Sequence, residues 1–335
     1  MIPLRLFLPV VLWLILLPSQ QCHSATDAEP KVLTSPPEAL SEVSISVYVI
    51  DLLSIHGADQ AFSADISTHF TWKDARLAHA GPAPRIVALD SIWTPEIIIA
   101  NLRSAQTEVP NSVEVQPDGT VDTYQRITGS FTSHFDLREF PNDTQTLNIQ
   151  FIARGHTMSE VKLVQDSQRT GRAAALTLSD WSVGDITLEA QPYVIPDKGI
   201  TIPGLNMQVG VKRYVGYYAG SILASASIII SMAWLVFWIP PVAINPRISV
   251  SVTSMLTLIA HRFVVQGELP NLPYLTTMDY FLLGSTLMVL LGLVEVVIVF
   301  RALNSGNEDK ALKLNRFFRW SYPIPFVVLL AYVLL

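Results

Sequence analysis

The sequence predicts an all-β outer domain joined to a bundle of four membrane-spanning helices. Three observations predict it. Residues 26–214 are polar and alternate with a period of two. Residues 215–335 carry four long apolar segments. Only 15% of the 335 residues are charged and 50% are hydrophobic, against roughly 25% charged in an average soluble domain. The net charge of −6 lacks the basic footprint that nucleic-acid binding needs. The one cysteine, Cys22, cannot make an internal disulfide, a thiolate zinc site or a CxxC pair. No Walker A loop, HExxH or GxSxG occurs. The chain is therefore not read as an enzyme, and no catalytic residue, metal site or cofactor is assigned.

Residues 1–25 read as a secretory signal peptide. Arg5 precedes the apolar run Leu6 to Leu17, and small and polar residues Ser19 to Ala25 follow. The run is short for a retained anchor, which needs about 20 residues. In residues 26–214, Val43 to Ile50, Ala64 to Trp72, Thr120 to Tyr124, Gln145 to Phe151 and Met207 to Lys212 alternate apolar and polar side chains. Many short strands of this kind, with turn residues between them, predict a β-sandwich. Pro117-Asp118-Gly119 is a turn signal between two of them. Four helices are expected at about 217–238, 247–266, 275–301 and 313–335. The second is polar, with Ser249, Ser251, Thr253, Ser254, Thr257, His261 and Arg262. A polar helix among apolar ones faces water or the bundle interior.

Charge predicts the orientation. Arg247 follows the first span, and Arg301, Lys310, Lys313, Arg316 and Arg319 lie between the third and fourth. The connection between the second and third holds Glu268 and no Lys or Arg. By the positive-inside rule, the first two connections are cytoplasmic. The sandwich and the C-terminus then lie outside, in agreement with the signal peptide. Residues 27–214 hold 14 Lys+Arg against 23 Asp+Glu, a net of −9. Such a surface concentrates cations if it lines a pathway; it is otherwise an ordinary solvated acidic face.

Six motifs occur in order. They are Trp72-Lys-Asp74-Ala-Arg76-Leu77; Trp93-Thr-Pro95-Glu96 with Asn101; and Asp136-Leu-Arg-Glu-Phe140-Pro141-Asn-Asp143. Then come Lys212-Arg213-Tyr214, Arg247-Ile-Ser249-Val-Ser251-Val-Thr253-Ser-Met-Leu256-Thr, and Leu269-Pro270-Asn-Leu-Pro273-Tyr274. Together they resemble the pentameric ligand-gated ion channels, the Cys-loop receptor superfamily, over roughly residues 43–335. The short connection after Phe300 and the missing cysteines look like the prokaryotic branch, especially its Erwinia-type channels. The family's two loop cysteines fall on Ser133 and Leu147, so packing and hydrogen bonds must hold that loop. Ser225 stands where many members carry proline.

The resemblance implies five identical subunits around a pore, an extracellular sandwich and a bacterial inner (or plasma) membrane location. The implied partners are inorganic ions, membrane lipid, and an unknown small-molecule agonist or protons. Ser249, Thr253, Leu256, Ala260 and Phe263 share one helical face by spacing. That face is a core stripe or, on the resemblance, the pore lining. Its hydroxyls would replace ion hydration, and Leu256 and Phe263 would close the pore by dewetting. Arg262 lies off the stripe and needs a partner, Asp279 or Glu268, with Glu295 near the opposite end of its helix. His261 is either a pH-sensitive group or a structurally satisfied histidine.

Transferred by motif, the agonist site between neighbouring sandwiches falls on Ser67, Ala100, Arg154 and Tyr193. Three of these are not aromatic, so a simple ammonium agonist is disfavoured, and Arg154 would favour a carboxylate. The coupling residues implied are Pro141, Asp143, Arg213, Pro270 and Pro273, with Arg213 paired to Asp143. Asn245-Pro246 lacks the acid usual in cation channels, whereas the acidic outer domain and Glu268 favour cations; the balance leans slightly to cations. The alternatives are an anion-selective channel of the same family and a membrane-anchored binding module. The binding module leaves the hydroxyl-rich helix and the ordered motifs unexplained.

Overall fold

The structure, a computed structural model, describes residues 33–195, 199–266 and 272–334. The signal segment with Cys22, and the residues Glu268 and Pro270, lie outside the described residues. The alternating segments fold as strands of two facing sheets. The larger runs β10 (Gly171–Arg172), β1 (Ser41–His56), β2 (Ala61–Lys73), β7 (Thr120–Thr132), β6 (Ser112–Val115) and β3 (Arg85–Ala88), with β5 (Leu102–Glu108) also on β7 and β9 (Val161–Gln165) also on β1. Of its long strands, β2 is antiparallel to both β1 and β7, whereas β1 is parallel to β9 and β10. The smaller sheet runs β11 (Trp181–Ala190), β14 (Gly204–Arg213), β8 (Thr144–Ala153) and β4 (Ile97–Ile99). A separate hairpin pairs β12 (Tyr193–Ile195) with β13 (Ile200–Ile202).

The period-two pattern places Val43, Ile45, Val47 and Val49 inward from β1, and Leu147, Ile149 and Phe151 inward from β8. Aromatic rings fill the space between the sheets: Phe62 stacks on Phe131 at 5.3 Å, and Trp72 meets Trp93 edge-on at 6.5 Å. Two motifs pin the sandwich. Asp74, almost fully buried, accepts from Arg76 N, Nε and Nη2 at 3.0, 2.9 and 2.7 Å. Burial alone would raise this carboxyl; the bonds from Arg76 outweigh burial and hold it below the usual aspartate value. Asn101 joins the sheets by donating to Thr132 O and Asn148 O, each at 2.7 Å. The Pro117–Gly119 turn needs its glycine. Gly119 has φ +84°, and a Cβ there would collide with the Asp74 carbonyl.

Among the described residues, four helices are long and apolar enough to cross a membrane. They are α1 (Gly216–Trp238), α2 (Ile244–Gln266), α3 (Thr277–Asn304) and α4 (Glu308–Leu334), the last pausing in a turn at Tyr322. α1 contains a π-helical turn at Ala219–Leu223 just before Ser225. Three starts differ from expectation. α2 begins three residues before Arg247, because Pro246 is tolerated in a first turn. α3 begins at Thr277 because Thr276 is its N-cap. α4 begins at Glu308, earlier than residue 313, because its first turns are amphipathic with Glu308 and Asp309 at the N-terminus.

Candidate pore and coupling site

The face of α2 that packs on its own subunit is clear from burial. Arg247, Ser251, Ser254, Leu258 and Val265 are buried, at spacings that stay on one side of a helix. The stripe Ser249, Thr253, Leu256, Ala260 and Phe263 is offset from them by two residues, or about 200°. All five stripe residues are exposed, Leu256 by 62% and Phe263 by 71%. The stripe is therefore not a core stripe of this chain. Ser254 and Thr257 satisfy their hydroxyls on the helix's own carbonyls Val250 O and Thr253 O, each at 2.8 Å.

Two ionisable residues of α2 are placed differently from expectation. Arg247 is not a loop cation: it sits inside the bundle, fully buried, bound to Glu295 Oε2 of α3 at 2.8 Å. Among the described residues, Arg262 forms no ion pair with Asp279. Asp279 is taken by the α3 cap, where it accepts from Thr276 N at 2.9 Å and Thr276 Oγ1 at 2.8 Å, and Glu268 is outside the described residues. His261 Nε2 lies 2.7 Å from Ser225 Oγ, so the residue that replaces proline in α1 touches α2.

At the domain boundary the structure brings Arg213 and Asp143 together. Arg213 Nε and Nη2 donate to the two Asp143 oxygens at 2.6 and 3.2 Å. The side chains are 11% and 1% exposed. The guanidinium also lies 4.1 Å from the Trp181 ring centre and 4.9 Å from that of Phe140. Phe140 in turn meets Tyr218 of α1 edge-on at 4.9 Å. Gln145 braces the other side, donating to Asp143 Oδ2 and Asp136 O at 2.8 and 2.6 Å. Ser133 donates to Thr146 O at 3.0 Å and Leu147 is buried in the core, so hydrogen bonds and packing stand where a disulfide could have been.

The loop is expected on the linker from Pro270 to Tyr274, and Tyr274 meets it together with the first turn of α3; Pro273 is exposed, and Pro270 is outside the described residues. Leu137 N donates to Tyr274 Oη at 3.1 Å. Thr277 N donates to Arg138 O at 2.9 Å, and Met278 N to Phe140 O at 3.2 Å. The first N–H groups of a helix have no partner within it. Here two of them find loop carbonyls, and Asp279 N finds Thr276 Oγ1 at 3.2 Å. The Thr276-x-x-Asp279 spacing signals this capping box in the sequence; sequence reasoning passed over it.

The four transferred agonist positions divide between the sheets. Ala100 N donates to Gln150 O at 2.8 Å, and Arg154 N to Glu96 O at 3.1 Å, so both lie at one end of β8. Gly204, opposite Ile152 of the same strand, anchors the arm that carries Tyr193. Ser67 belongs to β2 of the larger sheet and pairs with Arg126. The Arg154 guanidinium meets Glu96 Oε2 at 3.3 Å, with both side chains exposed.

The loop of the sandwich thus caps the third of four spans, and the hydroxylic stripe of α2 is exposed on its own subunit. Comparison with known proteins identifies both domains. Residues 29–194 match the neurotransmitter-gated ion-channel ligand binding domain, and residues 224–328 match the neurotransmitter-gated ion-channel transmembrane region. The chain belongs to the neurotransmitter-gated ion-channel family. A relative, the proton-gated ion channel of Gloeobacter violaceus, is 25% identical over 304 residues, covering 88% of this chain and 84% of its own. This member of the channel family is an integral membrane protein and not an enzyme.

Proposed function

We propose that five copies of the chain form a channel whose pore is lined by α2, and that an extracellular stimulus opens it. The observation that carries this is the position of the stripe. Ser249, Thr253, Leu256, Ala260 and Phe263 are all exposed on their own subunit, on the face of α2 opposite its buried residues. In a ring of five, that face would meet its copies across a water-filled axis. Polar side chains at the Ser249 end would carry ions. Leu256 and Phe263 would form hydrophobic constrictions. The sandwich and C-terminus would lie on the periplasmic side of a bacterial inner membrane. Likeness to Erwinia-type channels rests on the brevity of the α3–α4 connection, Ser305 to Asn307, and on the absence of the loop cysteines.

Cations are the favoured permeant ions, on the acidic outer domain and on the burial of Arg247 against Glu295. An anion-selective channel is the second reading, since no acidic side chain lies between Ile239 and Gln266. Protons are one class of stimulus, on the name of the proton-gated Gloeobacter relative, and an agonist at the Tyr193 and Arg154 end of the smaller sheet is the other. Arg213, Asp143 and Pro141 would transmit sandwich rotation to α1 and α3.

The test is current through purified protein in a bilayer under asymmetric salt, with the outer pH stepped. Current that follows the stimulus supports the channel, and the sign of its reversal potential separates cation from anion. Intact pentamers without current at any pH would point to a small-molecule agonist. Absence of both current and pentamers would sink the reading.

A further inference from the structure

Glu295 and Arg247 form a fully buried ion pair at the inner end of the bundle. It belongs to a node that joins all four spans. Arg247 Nη2 of α2 donates to Glu295 Oε2 of α3 and to Asn315 Oδ1 of α4, each at 2.8 Å. Asn315 Nδ2 donates to Phe237 O of α1 at 3.1 Å. Arg319 of α4 donates to the same carbonyl through Nε and Nη2, at 3.1 and 2.9 Å. Arg247 Nε and Nη1 have no hydrogen-bond partner among the described residues. Among the described residues, its charge is balanced by the one carboxylate of Glu295.

Arg247 lies two residues before Ser249, on the opposite face of α2. A helix is about 10 Å across, so this charge sits within about 10–15 Å of the proposed ion path. A charge that close, in a medium of low dielectric constant, acts on every ion that passes. Five subunits would place five such charges around the inner mouth.

We propose that Glu295 is a selectivity-setting residue that never touches the ions: it pairs with Arg247 inside the bundle and cancels the positive field at the inner mouth. The proposal rests on the reading that α2 lines the pore. Without Glu295 the mouth becomes electropositive and the channel passes anions more readily. Glu295 is a positioning residue too, since it fixes the Arg247 side chain among α3 and α4.

The test measures reversal potential in bilayers under a salt gradient, for the full chain and its variants. Glu295→Gln keeps the shape of the side chain and removes its charge. Its cation-to-anion permeability ratio is expected to fall by at least about tenfold, well within reach of five charges at this range. The double variant Arg247→Gln/Glu295→Gln should reverse that shift, because both charges are gone. A merely structural role would change expression or open probability and leave the reversal potential alone. Should Glu295→Gln fail to assemble, Arg247→Gln carries the test, with a shift toward the cation potential expected. An unchanged reversal potential in whichever single variant conducts would overturn the proposal. Ser249→Cys, treated with a charged thiol reagent, separates the two readings. Block of its current upholds α2 as the pore helix whatever Glu295 does, and no block removes the ground beneath both.

Discussion

Single charged residues do two different jobs here. Asp143 is nearly inaccessible and holds Arg213 through both carboxylate oxygens, at 2.6 and 3.2 Å. Asp143→Asn replaces charge-assisted bonds worth about 1.5–3 kcal/mol, so open probability at a fixed stimulus should fall by roughly tenfold or more. Single-channel recording checks this, and a response equal to the parent would remove Asp143 from the coupling path. Asp65 and Asp118 work by staying ionised. The hydrogen bond from Arg126 holds Asp65 below the usual aspartate value. The bond from Lys73, with those from Thr120, takes Asp118 to about 2. Because these folded values are depressed, any stability they contribute is complete above the unfolded aspartate value of about 3.9. It is lost only as pH falls below that toward the folded value. An activating step from neutral to mildly acidic pH would leave both charged. Asp118→Asn should therefore keep the parent's pH of half-activation; a displaced midpoint would make it a sensor.

At the scale of elements, the two faces of α2 make the sharpest forecast. Cysteines placed singly at Thr253 and Leu256 should react with a charged thiol reagent in the open channel, and cysteines at Ser251 and Ser254 should not. Equal reactivity on both faces would contradict a pore on the stripe side. Leu256→Ser should raise current without stimulus, since a hydroxyl wets a constriction that a leucine keeps dry. The cap of α3 offers a stability test: Thr276→Ala should cost about 1 kcal/mol, seen as a lower thermal midpoint. The stripe and its spacing were legible because helical periodicity is local. The Arg213–Asp143 contact was legible only through the motif resemblance, since 70 residues separate the partners. The fate of Arg247 was not legible. A cation next to a proline reads as a loop, and nothing local reveals a carboxylate 48 residues away. The start of α4 was missed for a related reason. A hydropathy window averages out amphipathic first turns such as Glu308 to Leu314.

For the whole molecule, the sequence split cleanly at its change of composition, and the two-domain architecture follows from that split alone. What composition could not supply was the joint. The parallel pairing of β1 with β9 and β10, and the loop that covers the start of α3, bring together segments far apart in the chain. Such contacts depend on the completed fold. The joint has a consequence for anyone watching the channel work. The amide hydrogens of Thr277 and Met278 belong to a membrane helix, yet their acceptors are carbonyls of the outer domain. Lifting the loop would strip both amides at once and leave the rest of the helix ladder whole. Their exchange with heavy water would then keep time with gating: slow while the domains are seated, fast in any state that parts them. Two amides could thus act as a built-in clock for the contact between sensor and pore.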